Sequence, residues 1–225
     1  MLFTAHVIEL SDDQKVASGT VRSVYEFPQQ PELLIKVFHS PENRSPRKPL
    51  KRLLWKYFPT MEYRSMLNEL KCELLAALKL NGDVRHMPLS RMLGIVQTNR
   101  GPGVVVERIA GSDGGLAPQL HRFVKDGHMA EPELNALNAF VRRLYELQIV
   151  ARDINFSNIV YGTRDGSMAC FLIDGYGERN LIPLRSMSKR LNARSLDKQF
   201  AKIARRAGLN WDPIRQAFSV SGEAG

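Results

Sequence analysis

Cysteine is scarce: Cys72 and Cys170 are the only two in 225 residues. They form no CxxC pair and no Cys/His cluster, which excludes a disulfide framework and a cysteine zinc site. Both sit among apolar neighbours and read as small buried hydrophobes. No run approaches the about 18 apolar residues of a membrane span. The opening MLFTAHVIELSDD lacks the basic-then-apolar pattern of a secretory signal, so the expected compartment is the cytoplasm. Five histidines, His6, His39, His86, His121 and His128, are scattered without ligand spacing, and none is assigned a metal. Acid is also short: 32 Lys and Arg face 23 Asp and Glu, a net charge of +9.

The shortage of acid is concentrated. Residues 44–56 carry Arg44, Arg47, Lys48, Lys51, Arg52 and Lys56 with no acid, beside Trp55, Tyr57 and Phe58. In 185–206, Asp197 alone stands against Arg185, Lys189, Arg190, Arg194, Lys198, Lys202, Arg205 and Arg206. Such clusters are either solvated faces or docking surfaces for an anionic partner: a membrane lipid, a glycolipid precursor or nucleic acid. Aromatic-spaced RNA-binding motifs are missing, which ranks nucleic acid lowest.

What is present is an ordinary globular composition, 44% apolar and 24% charged, long enough for one large domain or two small lobes. HVIEL (6–10), VRSVYEF (21–27) and ELLIKVF (32–38) alternate like strands. The proline-rich, basic stretch 40–60 reads as a loop or insertion. Residues 61–80 read as a helix, with Leu67, Leu70, Leu74, Ala77 and Leu78 at three- and four-residue spacing, stopped by Asn81-Gly82. LSRMLGIVQT (89–98) and GVVVERI (103–109) read as strands, and GSDGG (111–115) as a flexible connector. A second helix covers 131–150, with Pro132 in its first turn. Residues 157–162 and 168–177 suggest a hairpin around Thr163-Arg164-Asp165-Gly166, and the tail is helical around 196–208. There is no internal repeat. A sheet-bearing lobe (1–110, with the basic insertion 40–60) precedes a reduced helical lobe (111–225).

Three pieces of chemistry fall in order along this plan. Ala151-Arg152-Asp153-Ile154-Asn155-Phe156-Ser157-Asn158 holds an aspartate and, five residues on, an asparagine. Phe171-Leu172-Ile173-Asp174-Gly175-Tyr176-Gly177 is an apolar strand running into Asp-Gly. Leu34-Ile35-Lys36-Val37 places a lysine inside a strand. Singly, each is common: a surface ion pair, a strand entering a turn, an exposed strand residue. Together they follow the order of parts of protein kinases, and they resemble the catalytic loop, the metal-binding Asp-Phe-Gly loop and the third-strand lysine of those enzymes.

The resemblance implies an α+β, bilobal protein-kinase-like fold and a site for ATP and Mg²⁺. Asp153 would orient the proton of an attacking hydroxyl. Asn158 and Asp174 would hold Mg²⁺, a hard ion that prefers oxygen. Lys36 would meet the phosphates, held charged by a carboxylate on the following helix: Glu69, with Glu73 and Glu62 as alternatives. Gly19, in Ala17-Ser18-Gly19-Thr20-Val21-Arg22-Ser23-Val24, is the one survivor of the glycine-rich loop, and Arg22 is the candidate to compensate by touching phosphate. Glu107, in the hinge-like strand, completes the nucleotide-side set.

Over Leu10 to about Lys189 the chain resembles a narrower group, the bacterial YrbL-like PhoP regulatory network proteins. Ile8-Glu9-Leu10-Ser11, Glu69-Leu70-Lys71, Gly103-Val104-Val105-Val106, Asn158-Ile159-Val160 and Asn180-Leu181-Ile182-Pro183-Leu184 carry that resemblance. Departures from protein kinases are specific. Ala151 replaces the catalytic-loop histidine, and Asn155 stands where kinases acting on Ser/Thr carry a lysine. Gly175-Tyr176 reverses the aromatic-then-glycine order, and no Ala-Pro-Glu follows Asp174. Two functions stay open: a phosphotransferase acting on a protein, sugar or lipid-linked acceptor, or a pseudokinase that regulates by binding a partner. Both are expected in the cytoplasm, with docking at the inner membrane surface through the basic clusters as a further option.

Overall fold

The computed structural model describes residues 7–19, 21–39, 60–125, 129–178 and 184–220. The basic cluster at 44–56 with Trp55, Tyr57 and Phe58 lies outside them, as do His6, Thr20, His128 and the stretch 180–183. The side chain of Glu62 also lies outside what is described. The chain divides into two compact units, 1–66 with 91–108, and 67–90 with 109–225.

The first unit is a five-stranded antiparallel sheet in the order β1-β2-β3-β5-β4, from β1 (Lys15–Ser18), β2 (Arg22–Glu26), β3 (Leu33–Phe38), β4 (Met92–Thr98) and β5 (Gly101–Glu107). β3 is central and apolar on both faces. Leu33, Ile35 and Val37 join Leu10, Tyr25, Val96 and Val105 in one core cluster. Phe38, with Leu34 packed beside it, joins Val104 and Val106 in another. Period two therefore puts Lys36 on the second face, in register with Val24 and Val104. Gly103 has no room for a side chain, since a Cβ there would lie 2.6 Å from Ile35 Cγ2.

Of the stretch HVIEL, the described residues 7–10 form no ladder strand. Ile8 alone bridges to Thr98, and Leu10 is buried under the sheet. The first ladder strand is Lys15–Ser18, whose mostly exposed side chains leave no alternation to detect.

In the second unit lie most of α1 (Thr60–Lys79), α2 (Leu120–Lys125), α3 (Glu131–Glu146), the hairpin β6 (Ile159–Arg164) and β7 (Ser167–Leu172), α4 (Leu184–Met187), α5 (Lys189–Ala207) and a second hairpin, β8 (Leu209–Asp212) and β9 (Ala217–Val220). α3 buries Leu137, Phe140, Val141 and Leu144. The β6–β7 turn uses Asp165 and Gly166 at φ of 51° and 78°, the geometry that matches strand twist. α5 starts at Ser188, whose Oγ accepts from Leu191 N, and ends at Gly208 with φ of 67°.

Three further features depart from the sequence reading. The last hairpin follows α5 where only helix was expected. Phe218 packs edge-on to Phe200 at 5.6 Å, and Asn138 of α3 holds its backbone through Nδ2 to O (3.0 Å) and N to Oδ1 (2.7 Å). GSDGG is a hydrogen-bonded turn, closed by Gly111 N to Gly115 O at 2.9 Å and by Gly115 N to Asp113 Oδ1 at 2.9 Å. And α1 turns its acid inward: Glu69 and Ala76 are buried while Leu67, Leu70, Leu74 and Leu78 are exposed. No described helix is long and apolar enough to cross a membrane.

Candidate functional site

Two loops of the second unit run side by side. After α3 the chain extends through Val150–Asp153, and after β7 it passes Asp174-Gly175-Tyr176-Gly177. Gly175 O accepts from both Arg152 N (2.7 Å) and Asp153 N (3.2 Å), and Gly177 N donates to Val150 O at 2.7 Å. Ala151 and Tyr176 pair between these bonds. Glycine is needed at both ends of the short ladder. Gly175 has φ of 80°, and a Cβ there would sit 3.0 Å from Asp153 O. Gly177 has φ of 89°, and a Cβ would sit 2.5 Å from Asn68 O of α1. Tyr176, between them, is fully enclosed, with its OH 3.4 Å from Ser90 O.

This pairing gathers three of the predicted residues. Asp153 is exposed, and its carboxylate has no hydrogen bond among the described residues. Asn158 donates Nδ2 to Asp153 O at 3.1 Å, which keeps that nitrogen in the loop and leaves the amide oxygen as its ligand atom. Asp174 Oδ1 accepts from Gly175 N at 2.6 Å. Asn155, where a lysine was the kinase expectation, builds the loop instead: its Oδ1 accepts from Ser157 N (2.9 Å) and Asn158 N (3.1 Å) in an Asx turn.

The donor chemistry suits a hard cation. Asp174 and Asn158 offer a carboxylate and an amide oxygen, and Mg²⁺ is bound through one or two protein oxygens plus water and phosphate rather than by an all-protein cage. Among the described residues no group of three His, Cys, Asp or Glu could hold a metal.

Side chains from α1 and α5 hold the loop in place. Arg152 donates Nη2 to Glu69 Oε1 at 3.0 Å. Glu69 thus meets the arginine of the Arg-Asp pair within the second unit. Gln199 of α5 clasps the loop at both ends, accepting from Ile154 N (2.9 Å) and donating to Ala151 O (3.0 Å). Asn192 of the same helix donates to Ile149 O at 3.0 Å. Cys72 of α1 lies against the backbone of Val150 and Gly177, and burial pushes its thiol up to about 11.

The remaining predicted residues belong to the first unit. Lys36 is 7% exposed on the central strand, so it is not the exposed edge residue that a single strand lysine usually is. Gly19 N donates to Arg22 O at 2.9 Å in the β1–β2 turn, and Arg22 begins β2. Both carboxylate oxygens of Glu107 accept from Arg91, Oε1 from Nη2 at 3.2 Å and Oε2 from Nε at 3.3 Å.

A small antiparallel sheet precedes a helix-bearing unit in which an Asp-x₄-Asn loop pairs with an Asp-Gly loop, so the chain is of mixed α and β structure. The chain belongs to the family of the PhoP regulatory network protein YrbL, whose model matches residues 8–208. Among solved structures it is similar to the kinase domain of PknI from Mycobacterium tuberculosis, solved as a double mutant. The identity is 14%, the TM-score 0.41, and the match covers 72% of this chain and 56% of that one. The chain therefore spans little over half of that domain. No curated protein matches.

Proposed function

We propose that this chain is an ATP- and Mg²⁺-dependent phosphotransferase acting on a hydroxyl-bearing acceptor of protein, sugar or lipid-linked type. One observation supports the reading: the backbone ladder between Val150–Asp153 and Gly175–Gly177, which joins the loop that carries Asp153 and Asn158 to the loop that carries Asp174. In this reading Asp174 and Asn158 Oδ1 hold Mg²⁺, which when bound neutralises charge on the phosphate oxygens. Asp153 accepts or orients the acceptor's hydroxyl proton. Among the described residues no side-chain hydrogen bond occupies it, which suits that task. Catalysis comes from positioning and electrostatic stabilisation, as phosphoryl transfer requires. The phosphate role of Lys36 rests on its motif and its burial in the first unit.

A second reading, a partner-binding pseudokinase, draws on Asn155. Its side chain is committed to the Asx turn, so the loop lacks the positive charge that protein kinases acting on Ser/Thr place beside the transferring group.

Calorimetric titration with ATP, with and without Mg²⁺, separates the two. Mg²⁺-dependent micromolar binding that Asp174→Asn abolishes is the expected result. Asp153→Asn should keep that binding and lose turnover. Folded protein that binds no nucleotide would leave the pseudokinase reading standing.

A further inference from the structure

α1 presents two unlike faces. Glu69 and Ala76 are buried, with Cys72 and Glu73 half-buried beside them. On the other side Leu67, Leu70, Leu74, Leu75 and Leu78 are between 42% and 65% exposed. Their spacing places all five on one stripe of the helix, a ridge about 16 Å long at 1.5 Å rise per residue. All belong to the second unit. A lone exposed leucine needs no explanation; five on one face form a contiguous apolar patch of the kind that marks an interaction surface.

The charge on this ridge has one sign. Lys71 lies within the leucine stripe and is exposed, whereas Glu69 and Glu73 point to the opposite, inward side. A second copy of the chain is a poor occupant. Antiparallel pairing of two such ridges, centred on Cys72, would set the two Lys71 ammonium groups within about one helical turn (~5.4 Å) of each other in an apolar seam. An anionic surface reverses that sign. The chain as a whole carries +9, and a cationic helix face with exposed leucines, convex rather than grooved, matches the way amphipathic helices lie in a lipid interface.

We propose that the leucine face of α1 docks on an anionic lipid surface. The five leucines enter the boundary between headgroups and acyl chains, and Lys71 meets the lipid phosphates. This does not depend on phosphotransfer: the docking face and the paired loops around Asp153 and Asp174 use different residues.

The test is co-sedimentation of the full chain with large vesicles of phosphatidylglycerol and phosphatidylethanolamine, beside vesicles of phosphatidylcholine alone. The wild-type chain should bind the anionic vesicles more tightly than the neutral ones. The double variant Leu70→Gln, Leu74→Gln should lose about tenfold in partitioning through lost apolar insertion. Lys71→Glu should weaken binding several-fold and flatten its salt dependence. Because these side chains are exposed, melting temperature and gel-filtration volume should not move. No binding to anionic vesicles overturns the proposal. Binding unchanged in the double variant overturns it in favour of the basic clusters as the contact. If the double variant turns a dimer into a monomer, a second copy is the occupant; if it lowers the melting temperature, the chain's own residues cover the face. Either result also overturns the proposal.

Discussion

Arg152 Nη2 lies 3.0 Å from Oε1 of Glu69, a carboxylate with no solvent exposure. The arginine of an Arg-Asp loop is thereby fastened to the helix α1, and the loop's position depends on an ion pair taken out of water. Breaking such a pair from one side leaves a buried charge, at about 3–5 kcal/mol. Arg152→Ala should therefore lower the unfolding midpoint in urea markedly. Replacing both partners with apolar residues, Arg152→Met with Glu69→Leu, should recover part of the loss. A single variant with wild-type stability would show that the pair does not fasten the loop.

The glycines of the metal-side loop should not tolerate a side chain. Gly175→Ala forces a Cβ into φ of 80° and to 3.0 Å from Asp153 O, and Gly177→Ala brings one to 2.5 Å from Asn68 O. A strained φ alone costs about 1–3 kcal/mol. Gly177→Ala, whose Cβ meets backbone at the shorter distance, should be the worse of the two in a thermal melt. The reverse order would mean that the α1 contact yields more easily than the loop pairing.

Gln199 acts through the loop it holds. Gln199→Leu removes an acceptor for Ile154 N and a donor to Ala151 O. The expected loss is about 1–3 kcal/mol, since Ile154 N loses its acceptor and Ala151 O keeps only the long 3.5 Å contact from Arg185 Nη1. If the protein turns over ATP, kcat should fall more than KM rises. The conservative Gln199→Glu, which keeps the acceptor for Ile154 N and loses the donor, should fall between the two.

Stability should decline on the alkaline side. Burial raises the Cys72 thiol from 9.0 to about 11 and raises Cys170 in the same direction. The folded state holds these protons more tightly than the unfolded chain. The associated stability is fully present below pH 9 and is lost as pH rises through about 11. Melting temperatures should be flat from pH 7 to about pH 8.5 and then fall, and the fall should be shallower in Cys72→Ala. An unchanged slope in that variant would remove Cys72 from the account.

Strong alternation and tight turns were readable without coordinates. β2 and β3 show as Val-Tyr and Leu-Ile runs, and the β6–β7 hairpin announces itself through Asp165-Gly166. The placement of Asp153 and Asn158 on one loop and of Asp174 on another was readable from spacing, whereas the pairing of those two loops joins distant segments and was not. What escaped was set by distant partners. The leucines of α1 have the periodicity of a core face, yet the face turned inward is the one that meets Gly177 and Arg152, residues about 80 or more positions away. The last hairpin depends on Asn138 and Phe200 accepting Phe218, which no short window contains. Gln199 looks like any polar residue on a basic helix until the backbone it clasps is known.

Tyr176 changes how the Asp174 loop can behave. The ring is fully enclosed, its hydroxyl rests on Ser90 O, and the residues on either side are glycines with positive φ that close against Asp153 and Asn68. Swinging the loop outward would wet the whole ring, at about 2–3 kcal/mol for the apolar area alone. A loop so plugged works as a fixed jig, not a latch.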